Sequence, residues 1–317
     1  ASGTIVGSNL RGDRGEFFTP RNVCEMIVKM INPKINETIL DPACGTGGFL
    51  TIAMSHVLNK IKDDIKKRWR DRLNPTYNER NLLFNSIKKY TENNIFGIDL
   101  NPNLVKATKM NMVMNNDGSG TIHQTNSLIN ANAWREELRI KLKIKSSSDI
   151  NKFDVIVTNP PFGTKIPVDD PIILEQYDLG YLWEKENENR YKTKKLQKSV
   201  PPEILFIERC VQMLKENGRL AIVLPDAILG EPGLQYVRYW ILRNTQVLDS
   251  IDLDKDTFQP KNGTQTSVLF LRKKTKKEIE LFDQKKKDLS KPIFAAMVTK
   301  VGHDKRGNTI FKRDNKG

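Results

Sequence analysis

The stretch TILDPACGTGGFL, residues 38–50, decides the fold class of this 317-residue chain. It begins with residues typical of a short strand, and the residues after Gly48 are typical of a helix. Gly45, Gly47 and Gly48 lie between the two, where missing side chains let the backbone approach a ligand and leave helix N-terminal N–H groups free. The sequence therefore predicts that a polar or anionic ligand end binds at this turn.

A second predicted strand, NIFGIDL at 94–100, ends beside an acidic residue. There the carboxylate of Asp99 can accept hydrogen bonds from both hydroxyls of a ribose. Asp99 could also cap the helix that follows, and the two roles are compatible. Dinucleotide-binding enzymes and S-adenosylmethionine-dependent methyltransferases share such turns and acidic residues, so these features alone leave the cofactor open.

Helix and strand patterns alternate from residue 20 to about residue 272, which predicts an α/β fold. We expect a Rossmann-like, mostly parallel sheet of seven strands, with helices on both faces and one antiparallel strand at its C-terminal edge. The first helix is expected to have Thr19 as its N-cap and Pro20 at its first position. The strands are predicted within residues 38–45, 94–100, 121–125, 153–158, 218–226, 246–253 and 265–273.

Three segments depart from this alternation. Residues 60–92 are charged and helical in character, and we interpret them as an insertion before the second strand. Residues 164–200 are polar and have no clear apolar period. Residues 273–291 predict a Lys-rich helix with a solvated face, and a strand, a turn at 304–308 and a return strand are expected after it.

The chain carries 52 Lys and Arg residues against 38 Asp and Glu residues, a formal net charge of +14. Such an excess favours an anionic partner, with nucleic acid as the first candidate. The cysteines and histidines lack the spacing of a metal site, so we expect reduced thiols, no metal and a cytoplasmic location. No apolar run approaches the roughly 20 residues of a membrane span, so no membrane association is expected.

The segment FDVIVTNPPFGTK, residues 153–165, predicts the chemistry. It places Asn159, Pro160, Pro161 and Phe162 at the carboxyl end of a strand, which is the edge where open α/β sheets bind ligands. The Asn159 side-chain oxygen and the Pro160 carbonyl can accept both N–H groups of a planar amine and so make its lone pair available. The prolines bring no competing N–H, and Phe162 offers a ring face to a base.

Methylation of such an amine needs no general base beforehand, because the amine can release its proton after transfer. The lack of a nearby histidine is therefore no objection. It does argue against Cys44 as a nucleophile, since no base lies near it in the sequence. The alternative interpretation of residues 159–162 is a Pro-Pro turn that ends the strand, with a packed phenylalanine.

Three motifs resemble those of the gamma-class N6-adenine DNA methyltransferases: GEFFTP at 15–20, DPACGTGGFL at 41–50 and NPPF at 159–162. The similarity covers residues 11 to 310 approximately, and is strongest to the modification subunit of type I restriction-modification systems. The resemblance implies transfer of a methyl group from S-adenosylmethionine to the exocyclic amine of a flipped-out adenine in DNA. It also implies an N-terminal segment with a cofactor-capping motif (1–19), a methyltransferase domain (20–273) and a charged C-terminal extension (274–317).

The same resemblance implies roles for individual residues. Asp99 would hold the ribose, and residues 159–162 would hold the flipped adenine. Family members commonly have an Asp where this chain has Asn126, whose side-chain oxygen could still accept from the adenine amine of the cofactor. The residues implied at the methionine end of the cofactor are Phe18, Thr19, Pro20, Asp41, Ala43, Gly45 and Gly47.

The implied partners are double-stranded DNA, a specificity subunit that reads the target, a second modification subunit and a restriction subunit with motor and nuclease activity. Family modification subunits carry a helical domain ahead of the GEFFTP motif, so a chain that begins at Ala1 is expected to be a piece of a longer protein. Residues 164–200 suit a loop that grips DNA around a flipped base, although a mobile surface loop is the alternative. Its aromatic residues are Tyr177, Tyr181, Trp183 and Tyr191, and its basic residues are Lys185, Arg190, Lys192, Lys194, Lys195 and Lys198.

Three other functions compete with this interpretation. An RNA or protein-glutamine methyltransferase could use the same Asn-Pro-Pro-Phe segment, because it can act on any planar amine or amide. A non-catalytic scaffold subunit could keep the fold and only hold DNA or partners. A nicotinamide dehydrogenase shares the glycine turn and Asp99 but has no use for Asn-Pro-Pro-Phe.

Overall fold

The sheet dominates the computed structural model, which describes residues 18–67, 76–115, 119–163, 166–186, 189–259, 263–285, 292–306, 308 and 310. The strands are β1 (Ile39–Asp41), β2 (Ile95–Asp99), β3 (Ile122–Gln124), β4 (Phe153–Thr158), β5 (Tyr181–Glu186), β6 (Asn189–Leu196), β7 (Leu214–Pro225), β8 (Thr245–Asp252), β9 (Thr266–Lys273) and β10 (Phe294–Met297). The helices are α1 (Arg21–Ile31), α2 (Gly48–Lys67), α3 (Tyr77–Asn93), α4 (Pro102–Met114), α5 (Glu136–Lys141), α6 (Pro171–Leu174), α7 (Pro202–Met213), α8 (Ala227–Gly230), α9 (Gln235–Asn244) and α10 (Lys276–Lys285).

Eight of these strands form one sheet in the order β10-β8-β9-β7-β4-β1-β2-β3. Every neighbouring pair is parallel except the two that involve β9, which is antiparallel to both β7 and β8. The α/β class and the mostly parallel sheet are therefore confirmed. The count is eight rather than the expected seven, and the antiparallel strand lies inside the sheet because β8 and β10 lie outside it.

The two faces of the sheet bury alternate side chains of the same strands. In β4, Ile156 packs with α7 and α9, whereas Val155 and Val157 pack on the other face with α1 and α2. This period of two is what a strand dictates, and two apolar sets in one strand require helices on both sides of the sheet. The strands β1 and β4 at the centre are accordingly almost wholly apolar.

The start of the first helix differs from the expectation. Pro20, rather than Thr19, is the N-cap of α1, and no side chain caps the helix. The charged segment 60–92 contains the end of α2 and most of α3, with residues 68–75 outside the described part of the chain. Thr76 opens α3 with a capping box to Glu79, which fixes where this second helix begins.

The polar segment 164–200 contains an antiparallel hairpin, β5–β6, that the sequence did not predict. Its strands lack an apolar alternation because much of their surface is solvated. A bridge between Val168 and Val200 closes the base of the segment and ties it to the main domain.

The C-terminal segment adds a strand to the sheet. The Lys-rich helix is α10, and residues 286–291 lie outside the described residues. The strand predicted after it is β10, which pairs in parallel with β8, so residues assigned to an extension complete the sheet edge. The turn at 304–308 contains a hydrogen bond from Asp304 N to Asn308 O, and the return strand lies largely outside the described residues.

Gly180 tests whether the base of the hairpin is closely packed. A Cβ at this position would lie 2.2 Å from the backbone oxygen of Leu174, and a backbone atom cannot rotate away. We expect Gly180→Ala to lower the free energy of unfolding by about 1–3 kcal/mol, measured by urea titration. The matched variant Gly230→Ala, whose added Cβ meets nothing within 4 Å, should change it much less. Equal effects of the two substitutions would contradict the packing at Gly180.

Candidate active site

The glycine turn is packed closely against α4. Gly45 and Gly47 have positive φ angles of 55° and 82°, which favour glycine. A Cβ at Gly47 would lie 2.8 Å from Thr108 Cγ2, and the Thr108 hydroxyl donates to the Gly45 carbonyl at 2.6 Å. The turn therefore requires small residues both for its conformation and for its contact with α4.

Asp99 braces this turn from the end of the neighbouring strand. Its carboxylate accepts hydrogen bonds from Gly45 N and from Asn101 N, both at 2.8 Å. The N-cap of α4 is Asn101, whose side chain accepts from Asn103 N, so Asp99 does not cap the helix itself. Because β1 and β2 are parallel neighbours, their carboxyl ends meet, and the turn and the carboxylate line the same cleft.

Two adjoining cavities lie at this edge of the sheet. The larger has a volume of about 400 Å³ and a largely apolar wall, and the smaller has a volume of about 50 Å³. Nine of the predicted site residues line one or both of them: Phe18, Thr19, Asp41, Ala43, Gly45, Asp99, Asn126, Asn159 and Pro161. The structure thus brings together residues that are up to about 140 positions apart in the chain.

Asn159 stands where the two cavities meet. Its side-chain Nδ2 donates to the Thr19 hydroxyl at 3.1 Å. Its side-chain oxygen is buried and has no hydrogen-bond donor among the described residues. An unpaired buried acceptor costs about 1–3 kcal/mol, so the fold keeps this oxygen at the cleft at the expense of stability.

Four predicted residues line neither of these two cavities: Pro20, Gly47, Pro160 and Phe162. Pro20 begins α1, and Gly47 shapes the turn. Phe162 is only 6% exposed and packs inward, so the cleft wall around Asn159 is formed instead by Pro161 and by Phe206 of α7. The stacking role of Phe162 stays a prediction.

Asn126 lies in the wall of the larger cavity, after β3. Its side-chain oxygen accepts the backbone N–H of Leu128 at 2.9 Å, which forms a tight local turn. A carbonyl oxygen has two lone pairs, so this oxygen can accept a second donor from the cleft.

Asp41 is the buried acid of the site. Burial raises its pKa to about 7, and the negative Asp99 adds to this, while the Ala43 N–H and the nearby Thr158 hydroxyl act in the opposite direction. Burial and the same two carboxylates raise the pKa of the Cys44 thiol well above its usual value. A thiol held neutral in this way is a poor nucleophile, in agreement with the expectation from the sequence.

Helix α7 supplies site residues that the sequence reasoning missed. Its apolar period marked one inward face, but every residue from Pro202 to Met213 except Gln212 is buried. Pro202 and Phe206 line the larger cavity, and the Arg209 guanidinium donates to the carbonyls of Leu128 at 3.0 Å and Ile129 at 3.1 Å in the cavity wall. The signal that could have found them is a helix rich in apolar residues on all sides.

The aromatic residues of the 164–200 segment mostly anchor it. Tyr177 is 1% exposed and Arg209 donates to its hydroxyl, so it cannot stack on a base as expected. Trp183 packs against Tyr236 and Tyr239, and its Nε1 donates to Asp178 O at 3.0 Å. The exposed basic residues of the hairpin and its base are Lys185, Lys192, Lys194, Lys195 and Lys198.

This sheet, with its ligand cleft at the carboxyl edge, is the fold of Rossmann-like methyltransferases. A Listeria monocytogenes protein, described as a class I S-adenosylmethionine-dependent methyltransferase, superposes with a TM-score of 0.55 at 18% identity, covering 93% of this chain and 68% of that chain. The model of the N-6 DNA Methylase family matches residues 6–306, and the chain belongs to this family. The resemblance found in the sequence motifs is thereby confirmed.

Type I restriction enzyme subunits are among its relatives. The methylase subunit of Escherichia coli EcoEI is 29% identical over 266 residues, which are 83% of this chain and 43% of that subunit. The structure of the M protein of EcoKI, from Escherichia coli K12, superposes with a TM-score of 0.55 at 21% identity and covers 85% of this chain and 46% of that one. The chain thus spans less than half the length of either subunit. None of its described helices is long and apolar enough to cross a membrane.

The raised pKa of Asp41 predicts a pH-dependent stability. The folded chain binds a proton at this carboxyl up to about pH 7, whereas an unfolded chain releases it near pH 4. The associated stability is complete below pH 4 and is lost as the pH rises through 7. Asp41→Asn has no proton to lose, so relative to the wild type it should gain about 3 kcal/mol between pH 5 and pH 8 in urea titrations. A difference between the two proteins that is the same at both pH values would contradict this.

Proposed function

We propose that this chain transfers a methyl group from S-adenosylmethionine to the exocyclic amine of an adenine in DNA, acting on a flipped-out base. The observation that carries the proposal is the buried side-chain oxygen of Asn159, which has no donor among the described residues. An adenine amine carries two N–H groups and would supply the missing donor.

The cleft suits the proposed cofactor. Gly45 forms part of its wall without a side chain, and the carboxylate of Asp99 lies beside it at the position that holds a ribose in nucleotide-binding α/β folds. Phe18, Thr19 and Asp41 would hold the methionine end in the smaller cavity, and Asn126 and Leu128 the adenine end in the larger. When bound, S-adenosylmethionine supplies an electrophilic methyl group whose C–S bond breaks as the N–C bond forms.

The residues of the chain would promote transfer by position and by exclusion of water. Asn159 Oδ1 and the Pro160 carbonyl would accept the two N–H groups of the amine and turn its lone pair toward the methyl group. Pro161, Val168 and Phe206 give the cleft apolar walls that displace water from the reacting amine. The alkylated amine then releases its proton to solvent, so no buried base is required.

The relatives support a place in a larger assembly. Both subunits named above belong to type I restriction enzymes, and their lengths exceed that of this chain. We infer that a specificity subunit selects the target, that a second modification subunit joins it, and that a restriction subunit with motor and nuclease activity completes the assembly. The cytoplasmic location remains a prediction.

The β5–β6 hairpin would contact the DNA beside the flipped base. Its base is fixed to the cleft, because Val200 exchanges backbone hydrogen bonds with Val168 in the cleft wall at 2.8 and 2.9 Å. Lys192 is partly neutralised by Asp178 at 2.6 Å, whereas Lys194, Lys195 and Lys198 are exposed and flank this base. Three ammonium groups at the mouth of a cleft favour contact with phosphates.

Asn159→Ala tests the proposed role of the unpaired oxygen. It should reduce transfer of tritiated methyl groups to DNA by at least about 100-fold, because one acceptor for the amine is lost. S-adenosylmethionine affinity, measured by calorimetry, should change little, since the oxygen faces the amine. Asp99→Ala is the matched control and should weaken cofactor binding first. Methyl transfer by Asn159→Ala at the wild-type rate would refute the role of Asn159.

The hairpin lysines predict a specific salt dependence. Replacing Lys194, Lys195 and Lys198 by Gln should reduce the slope of log affinity for DNA against log salt by about 2–3, close to 0.9 for each lost phosphate contact. The control replaces Lys66, Lys67 and Lys276, exposed lysines of α2 and α10, and removes the same charge. Equal slopes for the two triple variants would exclude the hairpin as the DNA contact.

A further inference from the structure

Glu203 connects helix α7 to the segment that carries Asn159. It lies in the first turn of α7, directly after Pro202 of the cleft wall. Its Oε2 accepts the backbone N–H of Gly163 at 3.2 Å. Gly163 follows Phe162 and has a φ of 125°, so this hydrogen bond fixes the end of the Asn-Pro-Pro-Phe segment where the backbone changes direction.

The position of this carboxylate is costly. Glu203 is only 6% exposed, and it forms no ion pair within the described part of the chain. Burial raises its pKa, while the N–H groups of Gly163 and of Glu203 itself lower it. A carboxylate in the first turn gains from the helix dipole, but an exposed side chain would gain this as well. The dipole therefore does not account for the burial.

The contact with Gly163 does account for it. The segment from Asn159 to Gly163 is tied at one end to β4, and Asn159 itself is held by Thr19. Proline has no N–H, so Pro160 and Pro161 cannot fix the segment by donating backbone hydrogen bonds. The N–H of Gly163 is a donor beyond the prolines, and Glu203 is its acceptor.

We propose that Glu203 is a positioning residue, which holds the Asn-Pro-Pro-Phe segment so that the Asn159 oxygen and the Pro160 carbonyl face the target amine together. Glu203 does not contact the amine or the cofactor in this proposal. It acts through the backbone of Gly163. The proposal rests on the proposed methyl transfer and adds a residue that neither the motifs nor the family match assigns.

The test compares three substitutions by methyl transfer to DNA of mixed sequence that lacks adenine methylation. Glu203→Ala removes the acceptor and should lower kcat about 10- to 100-fold, the loss expected when a reacting group is misplaced by about 1 Å. The KM for S-adenosylmethionine should stay within about twofold, because the cofactor wall is untouched. Glu203→Gln keeps an oxygen that can accept the Gly163 N–H and should restore most of kcat. Glu203→Asp keeps the charge but shortens the side chain, and should resemble Ala.

A first-turn glutamate elsewhere provides the control for helix stability. Glu79 of α3 accepts the Thr76 N–H at 2.7 Å and lies in a helix that contributes nothing to the cleft lining, so Glu79→Ala should leave kcat unchanged. The proposal is overturned if Glu203→Asp keeps wild-type kcat, or if Gln is as impaired as Ala. Should the wild type bind S-adenosylmethionine but methylate no adenine, the proposed function itself fails. Wild-type activity with fully active Glu203 variants would overturn the positioning role alone.

Discussion

The carboxylate of Asp99 accepts two backbone N–H groups, and the geometry of the cleft depends on them. One bond holds Gly45 in the turn after β1, and the other holds Asn101 at the start of α4. The parallel pairing of β1 with β2 brings the two strand ends together, and the carboxylate then joins the loops that leave them. The cleft exists because both loops are held apart at a fixed distance by one side chain.

Helix α7 supports the opposite wall by the same principle. Buried ionisable groups cost several kcal/mol unless hydrogen bonds satisfy them, and α7 contains three in two turns. Glu208 accepts the N–H groups of Asp178 and Leu179, both at 2.9 Å, and Arg209 holds Leu128, Ile129 and Tyr177. Glu203 holds Gly163. These side chains connect the cofactor wall, the hairpin and the Asn-Pro-Pro-Phe segment to one rigid helix.

The sequence predicted the parts of this architecture that depend on local patterns. The strand preceding the glycine turn, the strand ending at Asp99 and the buried strand β4 carry short apolar runs, and each was placed correctly within a few residues. The hairpin was missed because its strands are solvated and its anchoring contacts, such as Trp183 with Tyr239, join distant segments. The interior position of β9 was missed because strand order in a sheet follows from tertiary packing and not from alternation along the chain.

The candidate site shows the same division. Motif residues that follow strands, such as Asp99 and Asn159, come together because the carboxyl ends of parallel strands share one edge. The burial of Phe162 and the part played by Glu203 could not be predicted, since both depend on how α7 packs against β4 and the loop that follows it. A charged residue within an apolar helix is a weak signal until its partner is known.

The central claim is that the oxygen of Asn159 receives an adenine amine of DNA. The most direct measurement is the distribution of tritiated methyl groups after incubation of the chain, and of the assembly that purifies with it, with three substrates: DNA free of adenine methylation, ribosomal RNA and a glutamine-containing peptide. The account predicts label in DNA, recovered as N6-methyladenine on nucleoside analysis. Label confined to RNA or to the peptide, or none in any substrate despite S-adenosylmethionine binding, would contradict it.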